Sequence, residues 1–170
     1  NAWGISFMQG LFNMTSDSHL FRTRDELESE GWTLVGNVFE HGVEKMLPLY
    51  ESKMIHQFDH RWATYDGENV RDVRGGEKRD EDFNALPRYW VTDHSVTDVL
   101  RGRWDASWML AWRGIGRTTD VRTCMAAIGP FASSGGNYDM VLGCSSVDAA
   151  CLVATLNSSV FDFVVRQMLT

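Results

Sequence analysis

The 170-residue chain has a hydrophobic share of 44% and seven tryptophans, a composition that excludes a disordered segment and suits one domain with one sizeable core. Its formal charge of −7, from 16 Lys+Arg against 23 Asp+Glu, runs against the basic surface expected of a nucleic-acid binder. No apolar run approaches the roughly 20 residues needed to span a bilayer, and no basic segment precedes an apolar one as in a signal peptide. Three cysteines (Cys124, Cys144, Cys151) without CxxC spacing argue against a disulfide framework or zinc ribbon; they fit a reducing cytoplasm and read as small buried hydrophobes. The Asn1-Ala2 start reads as the remnant of an expression tag, so the chain is expected to be a fragment of a larger protein.

Residues 3–14 (WGISFMQGLFNM) are apolar and aromatic without a clean period, and suit a strand or a segment packed on a neighbouring domain. Thr23-Arg24-Asp25-Glu26 has the capping-box pattern, and the short helix it opens is expected to end at Gly31. Two strand-like pieces follow, Trp32–Val35 and Lys45–Tyr50. Lys53–Tyr65 alternates well enough for a pair of strands or one long bent one. Residues 66–82 (DGENVRDVRGGEKRDED) are dense in charge and glycine, and read as an exposed, mobile loop.

Strand character returns at Arg88–Val91, and Asp93 is placed to cap a helix over about residues 95–102 with Val96, Val99 and Leu100 on its apolar face. A Gly/Ser loop at 133–137 precedes a strand at Tyr138–Leu142. Ser145 or Ser146 caps a final helical region in which Leu152, Val153, Leu156, Val160, Phe161, Val164, Val165 and Met168 recur at spacings of three and four. A break is expected near Asn157-Ser158. The pattern predicts an α+β domain: a mixed or mostly antiparallel sheet, helices packed on one side, and a C-terminal helical region.

The central stretch runs from Ser107 to Ile128. Trp108–Trp112 and Cys124–Ile128 are short apolar runs bounded by turn signals, as buried strands are. Between them Arg113–Thr123 (RGIGRTTDVRT) forms a connector of glycines, hydroxyls and three arginines. Glycine lets backbone N–H groups approach an anion, and arginine offers a planar fork that fits phosphate oxygens. The alternative is a polar hairpin loop whose arginines pair with nearby carboxylates. A local excess of five arginines over two aspartates across residues 101–128 leaves room for a basic face on an acidic domain.

Other constellations carry less. His56 and His60 would share one face of a helix, as in zinc sites, but their segment reads as extended and no third ligand suggests itself. Glu51-Ser52-Lys53 has the E-x-K spacing of metal-dependent nucleases, without an upstream aspartate on a clear strand. No nucleophile elbow, GxxxxGK[ST] or GxGxxG is present. Trp90, Trp104, Trp108 and Trp112 read as core and not as base-stacking platforms; Trp62, following His60-Arg61 in a polar stretch, is the exception. No catalytic residue set and no metal site assembles.

Five stretches, in order, resemble one family: MTSDSHLFRTRDELESEG (14–31), LPLYESKMIHQFDHRWATY (47–65), LPRYWV (86–91), MLAWRGIGRTTDVRT (109–123) and LVATLNSSVFDFVVRQ (152–167). Together they resemble the TaqI-like C-terminal target-recognition (specificity) domain of large adenine-N6 DNA methyltransferases, the kind fused into type IIG restriction–modification enzymes and related phage-defence systems. The Leu156-Asn157-Ser158 helix also resembles specificity subunits of type I systems. Ser52 departs from the pattern, since glycine is common there after Tyr-Glu, and residues 66–82 have no counterpart.

The resemblance implies a parent chain that binds S-adenosylmethionine and flips adenine with an upstream domain bearing an Asn/Asp-Pro-Pro-aromatic motif. Here Pro48, Pro87 and Pro130 stand alone. The fragment is therefore expected to lack methyl-transfer chemistry and to hold no cofactor. The expected partners are double-stranded DNA and the methyltransferase domain of the same parent chain, in the cytoplasm and without a membrane. Arg113, Arg117 and Arg122, with Thr118 and Thr119, are the expected backbone or base-edge contacts; His60 and Arg61 are further candidates. The competing class is a protein–protein docking module within a restriction–modification or phage-defence complex.

Overall fold

The structure, a computed structural model, describes residues 3–169, so the reading of Asn1-Ala2 lies outside the described residues. In chain order the elements are β1 (Ser6–Gln9), α1 (Arg24–Ser29), β2 (Thr33–Val35), β3 (Val38–His41), β4 (Glu44–Tyr50), β5 (Ala63–Asp66), β6 (Asn69–Asp72), α2 (Gly75–Arg79), β7 (Trp90–Thr92) and α3 (Asp93–Leu100). They continue as β8 (Trp108–Arg113), β9 (Ala126–Pro130), β10 (Ser133–Ser134), β11 (Tyr138–Leu142), α4 (Ser146–Leu156) and α5 (Ser159–Met168).

The two central apolar runs form the antiparallel pair β8–β9, with Trp108 opposite Pro130 and Trp112 opposite Ala126. β11 and then β1 extend this sheet on the other side of β8, in the order β1-β11-β8-β9. Side chains alternate across it. Met109, Ala111, Ala127, Met140 and Leu142 face a central core shared with Leu47, Leu49, Ile55, Val91, Val96 and Leu100. Leu110, Ala126 and Val141 face the opposite way, into a core closed by Cys144 and by Ala149 and Val153 of α4. Burial on both faces explains why these strands read as continuous apolar runs and not as alternation.

A second sheet runs β10-β4-β3-β2, with β7 beside β4. All its pairs are antiparallel except β10–β4. Leu47 and Leu49 of β4 enter the central core, while Met46 joins Phe39, Trp90 and Leu27 of α1 in a third cluster. The fold is α+β, with largely antiparallel sheets and a C-terminal helical region. α1 contributes to the cluster on one sheet, and α4 covers the outer face of the other.

Local chemistry sets the boundaries. Thr23 closes a full capping box with Glu26, and Gly31 at φ +84 follows the helix end. α3 begins earlier than expected because Thr92, not Asp93, is its cap: the Thr92 hydroxyl accepts the Ser95 N–H at 3.2 Å. The break between α4 and α5 falls where Ser158 caps the second helix. Cys124 and Cys144 are buried, but Cys151 is exposed on α4, contrary to its expected core role.

Strand β3 lies where the sequence reading had no strand, β10 lies inside the expected Gly/Ser loop at 133–137, and two longer stretches also depart from it. Lys53–Tyr65 is not a strand pair. A 3-10 turn at Ser52–Met54 leads into a tight turn in which the His56 and Asp59 backbones bond each other at 2.8 and 3.1 Å; only Ala63–Asp66 is strand. Glu51 and Lys53 serve structure there, since the Tyr65 hydroxyl donates to Glu51 at 2.6 Å and Lys53 lies over the Tyr65 ring.

Residues 66–82 are not a loop either. They carry part of the β5–β6 hairpin, turned at Gly67 with φ +59, and the helix α2. The charge density misled because the charges pair. Arg71 forks onto Glu77 at 2.7 and 2.9 Å, Lys78 reaches Asp59 at 2.6 Å, and Arg61 donates to the carbonyls of Lys78, Asp80 and Phe83.

Candidate functional site

The connector between β8 and β9 is braced from behind by α5. Asp162 and Arg166 lie one helical turn apart, on the same face. Asp162, 6% exposed, accepts the backbone N–H of Thr123 at 2.6 Å and of Cys124 at 3.0 Å. Burial pushes its carboxyl up, but those two donors and Arg166 outweigh burial and hold it below the usual aspartate range. Arg166 donates to the carbonyls of Thr118, Asp120 and Val121, so one guanidinium gathers the whole loop tip. Burial, with the same carboxylate adding to it, pushes the Cys124 thiol up to about 11, which leaves it protonated and unreactive at neutral pH.

The loop glycines are needed for internal contacts. A methyl group at Gly114 would collide with the Asp139 carboxylate, and one at Gly116 with the Thr123 carbonyl. Gly114 also donates its N–H to Asn137 O at 2.8 Å. Close backbone approach is thus used within the protein, which corrects the expectation that these glycines open the loop to an anion.

The predicted contact residues separate by environment. The Arg117 side chain is exposed, and among the described residues its guanidinium has no partner; its backbone is held by Asp120, whose carboxylate accepts the Arg117 N–H at 3.2 Å and whose N–H donates to the Arg117 carbonyl at 3.1 Å. Thr119 is exposed and Thr118 half-buried. Arg122 is half-buried and donates to Ser159 Oγ at 3.2 Å. Arg113 turns inward instead, its Nε donating to Ile55 O at 2.8 Å. Arg61 is likewise committed to its three carbonyls, so both are braces and not free arms. His60 packs on the Gly129 backbone; burial, with Arg61 alongside, lowers its pKa and keeps the ring neutral near pH 7. Trp62, the exception among the tryptophans, is half-buried, stacked on His56 at 4.2 Å with Lys78 over its ring.

Several residues escaped the sequence reading. Asn157 brackets one residue of β9, accepting Ala126 N–H at 2.9 Å and donating to Ala126 O at 2.8 Å. It completes the free edge of that strand as another strand would. Phe58 donates its N–H to the same carbonyl at 2.9 Å and holds its ring 63% exposed, at φ +59. Positive φ is strained for a bulky side chain, and strained exposed residues concentrate where proteins make contacts. No residue-type pattern would have announced it. Finally, α5 is apolar outside as well as inside: Val160, Phe163, Val164 and Met168 are exposed along one stripe. That stripe was visible as periodicity, but its outward direction was not.

Phe58, Ser159 and Arg122 lie around the buried Asn157–Ala126 contact and the helix break, in one region of surface. It offers hydrogen-bond donors, a positive charge and an aromatic ring, the means of gripping a polyanion and wedging against an apolar face. Among the described residues no His, Cys, Asp and Glu side chains gather into a group that could hold a metal, and no single helix is long and apolar enough to cross a membrane. No family model, no curated protein and no solved structure matches this chain.

Proposed function

We propose that this domain recognises duplex DNA on behalf of an adenine-N6 methyltransferase of a restriction–modification or phage-defence system, without catalysing methyl transfer itself. The observation that carries this reading is the braced loop. Asp162 and Arg166 fix residues 118–124 from inside the molecule, while the Arg117 guanidinium stands outside without a partner among the described residues. A rigid arm with an unpaired arginine loses little entropy on meeting phosphate. Arg117 and Thr119 then act as backbone contacts, Arg122 as the residue nearest a base edge, and Phe58 as an apolar wedge. S-adenosylmethionine and the chemistry belong to the methyltransferase domain of the parent chain, in the cytoplasm.

The exposed stripe on α5 favours a second reading, a docking module that holds a partner protein. A salt series separates the two. Binding to labelled duplex DNA, followed by fluorescence anisotropy, is expected to weaken steeply with salt, and Arg117→Ala to lower the slope by about one unit. No salt-dependent DNA binding by the folded wild-type domain would refute the DNA reading and leave docking. Arg117→Ala with an unchanged slope, and Arg122→Ala with an unchanged slope and unchanged sequence preference, would remove these arginines from the interface.

A further inference from the structure

Beside the braced loop lies a half-open groove of about 430 Å³, bounded by β1 and β8 on one side and α4 and α5 on the other. Phe7 and Trp112 meet edge to face there at 5.5 Å, and Leu156, Phe161, Val165 and Leu169 form the opposite wall. Such a volume with such a lining is in the range that small molecules occupy. Gly114 lines the groove, and the carboxylate of Asp139, itself outside the lining, lies against that glycine; Arg113 lines the groove as well, with its Nε committed to Ile55 O. Asp139 sits directly across the β8–β11 pair from Trp112, so both side chains leave the same face of the sheet.

This carboxylate has no hydrogen-bond or ion-pair partner among the described residues. Every other half-buried acid at a structural position here does: Asp59 has Lys78, Glu51 has Tyr65 and Glu77 has Arg71. Burial raises the Asp139 pKa, and no neighbouring cation opposes the shift. A half-buried carboxylate without a counter-charge is a standing cost that a bound cation would relieve.

We propose that the groove is a binding site for an organic cation, an amine or guanidinium carried on an apolar or aromatic body. The body lies on Trp112, Phe7, Leu156 and Phe161, and the charged head reaches the Asp139 carboxylate past Gly114. The aromatic faces favour a cation on its way in, and the carboxylate holds it. The site is independent of the DNA reading and requires no change in it.

The test is an amide-resolved NMR titration of the whole labelled domain with phenylpropylamine, phenylpropanol and phenylpropanoate. The amine is expected to move Gly114, Leu156 and Val165 saturably. The alcohol should bind about tenfold more weakly, the loss of one charge-assisted hydrogen bond, and the carboxylate should give no saturable shift. Asp139→Asn, a change at a half-exposed side chain, is expected to bring the amine down to the alcohol's affinity. Equal binding of amine and alcohol, or an unchanged amine in Asp139→Asn, would overturn the proposal, as would shifts confined to another surface. Acetyl-Phe-Lys-amide serves as a further arm. Tighter binding than phenylpropylamine assigns the cation to a partner's side chain, and weaker binding assigns it to a free amine; either supports the site.

Discussion

Replacing Asp162 with alanine tests whether the loop is held from inside. The substitution removes the acceptor of two buried backbone donors, Thr123 N–H at 2.6 Å and Cys124 N–H at 3.0 Å, and the 3.4 Å contact to Arg166. Each buried donor left without an acceptor costs about 1–3 kcal/mol, so the loss should reach about 2–6 kcal/mol. Asparagine at this position keeps one acceptor oxygen and loses only the charge, at roughly half that cost. Urea unfolding gives the stability, and amide exchange at Thr123 and Cys124 reports on the loop. The pH dependence has a definite sign. The folded carboxyl lies below its ordinary value of 3.8, so its contribution is complete above that value and is lost as pH falls through the folded one. Wild type should therefore lose stability more steeply than Asp162→Asn in that acid window. An alanine variant within about 0.5 kcal/mol of wild type, with both amides still protected, would refute the brace.

Two further substitutions follow. Asn157→Ala should cost about 1–3 kcal/mol and speed exchange at Ala126, because the strand edge loses one acceptor and one donor; unchanged exchange there would show that water replaces the amide freely. Phe58→Gly removes the penalty of a bulky residue at φ +59 and should leave stability within about 1 kcal/mol of wild type, or raise it, while weakening DNA binding. A larger loss of stability in an unfolding titration would mean that the ring packs more than its exposure suggests.

Elements governed by local chemistry were legible in the sequence. The capping box at Thr23, the paired apolar runs of β8 and β9, and the break before Ser158 each follow from neighbouring residues. What was hidden depends on partners distant in sequence. Arg61 and Arg113 are arginines in polar surroundings, as is Arg117; only the fold reveals that the first two face carbonyls 17 to 58 residues away. The charged stretch 66–82 looked featureless because hydropathy ignores the order of signs, and it is that order that lets Arg71 meet Glu77 and Lys78 meet Asp59. Asp162 and Arg166 stood within a helix whose apolar spacing drew attention away from its polar positions.

The way these arginines are bound bears on the field that the loop presents. An arginine paired with a carboxylate contributes almost no net charge at a distance, whereas one bonded to carbonyls keeps its full charge. Arg113 donates to a carbonyl, Arg166 to three carbonyls with Asp162 at its edge, Arg122 to a hydroxyl, and Arg117 to nothing among the described residues. The carboxylates at the same loop are Asp120, on the Arg117 backbone, Asp162, on the backbone of residues 123 and 124, and Asp139, against Gly114, three against the four arginines. The loop region therefore keeps an excess of positive charge inside a chain whose formal charge is −7. At physiological ionic strength charges act over a Debye length of about 8 Å, so a phosphate at the loop meets this local excess far more than the acidic remainder. Lower salt lengthens that reach and lets the remote acids oppose binding. Affinity for DNA should then rise less steeply at the lowest salt than counterion release alone dictates, and a strictly linear log–log plot down to that limit would count against a basic patch on an acidic domain.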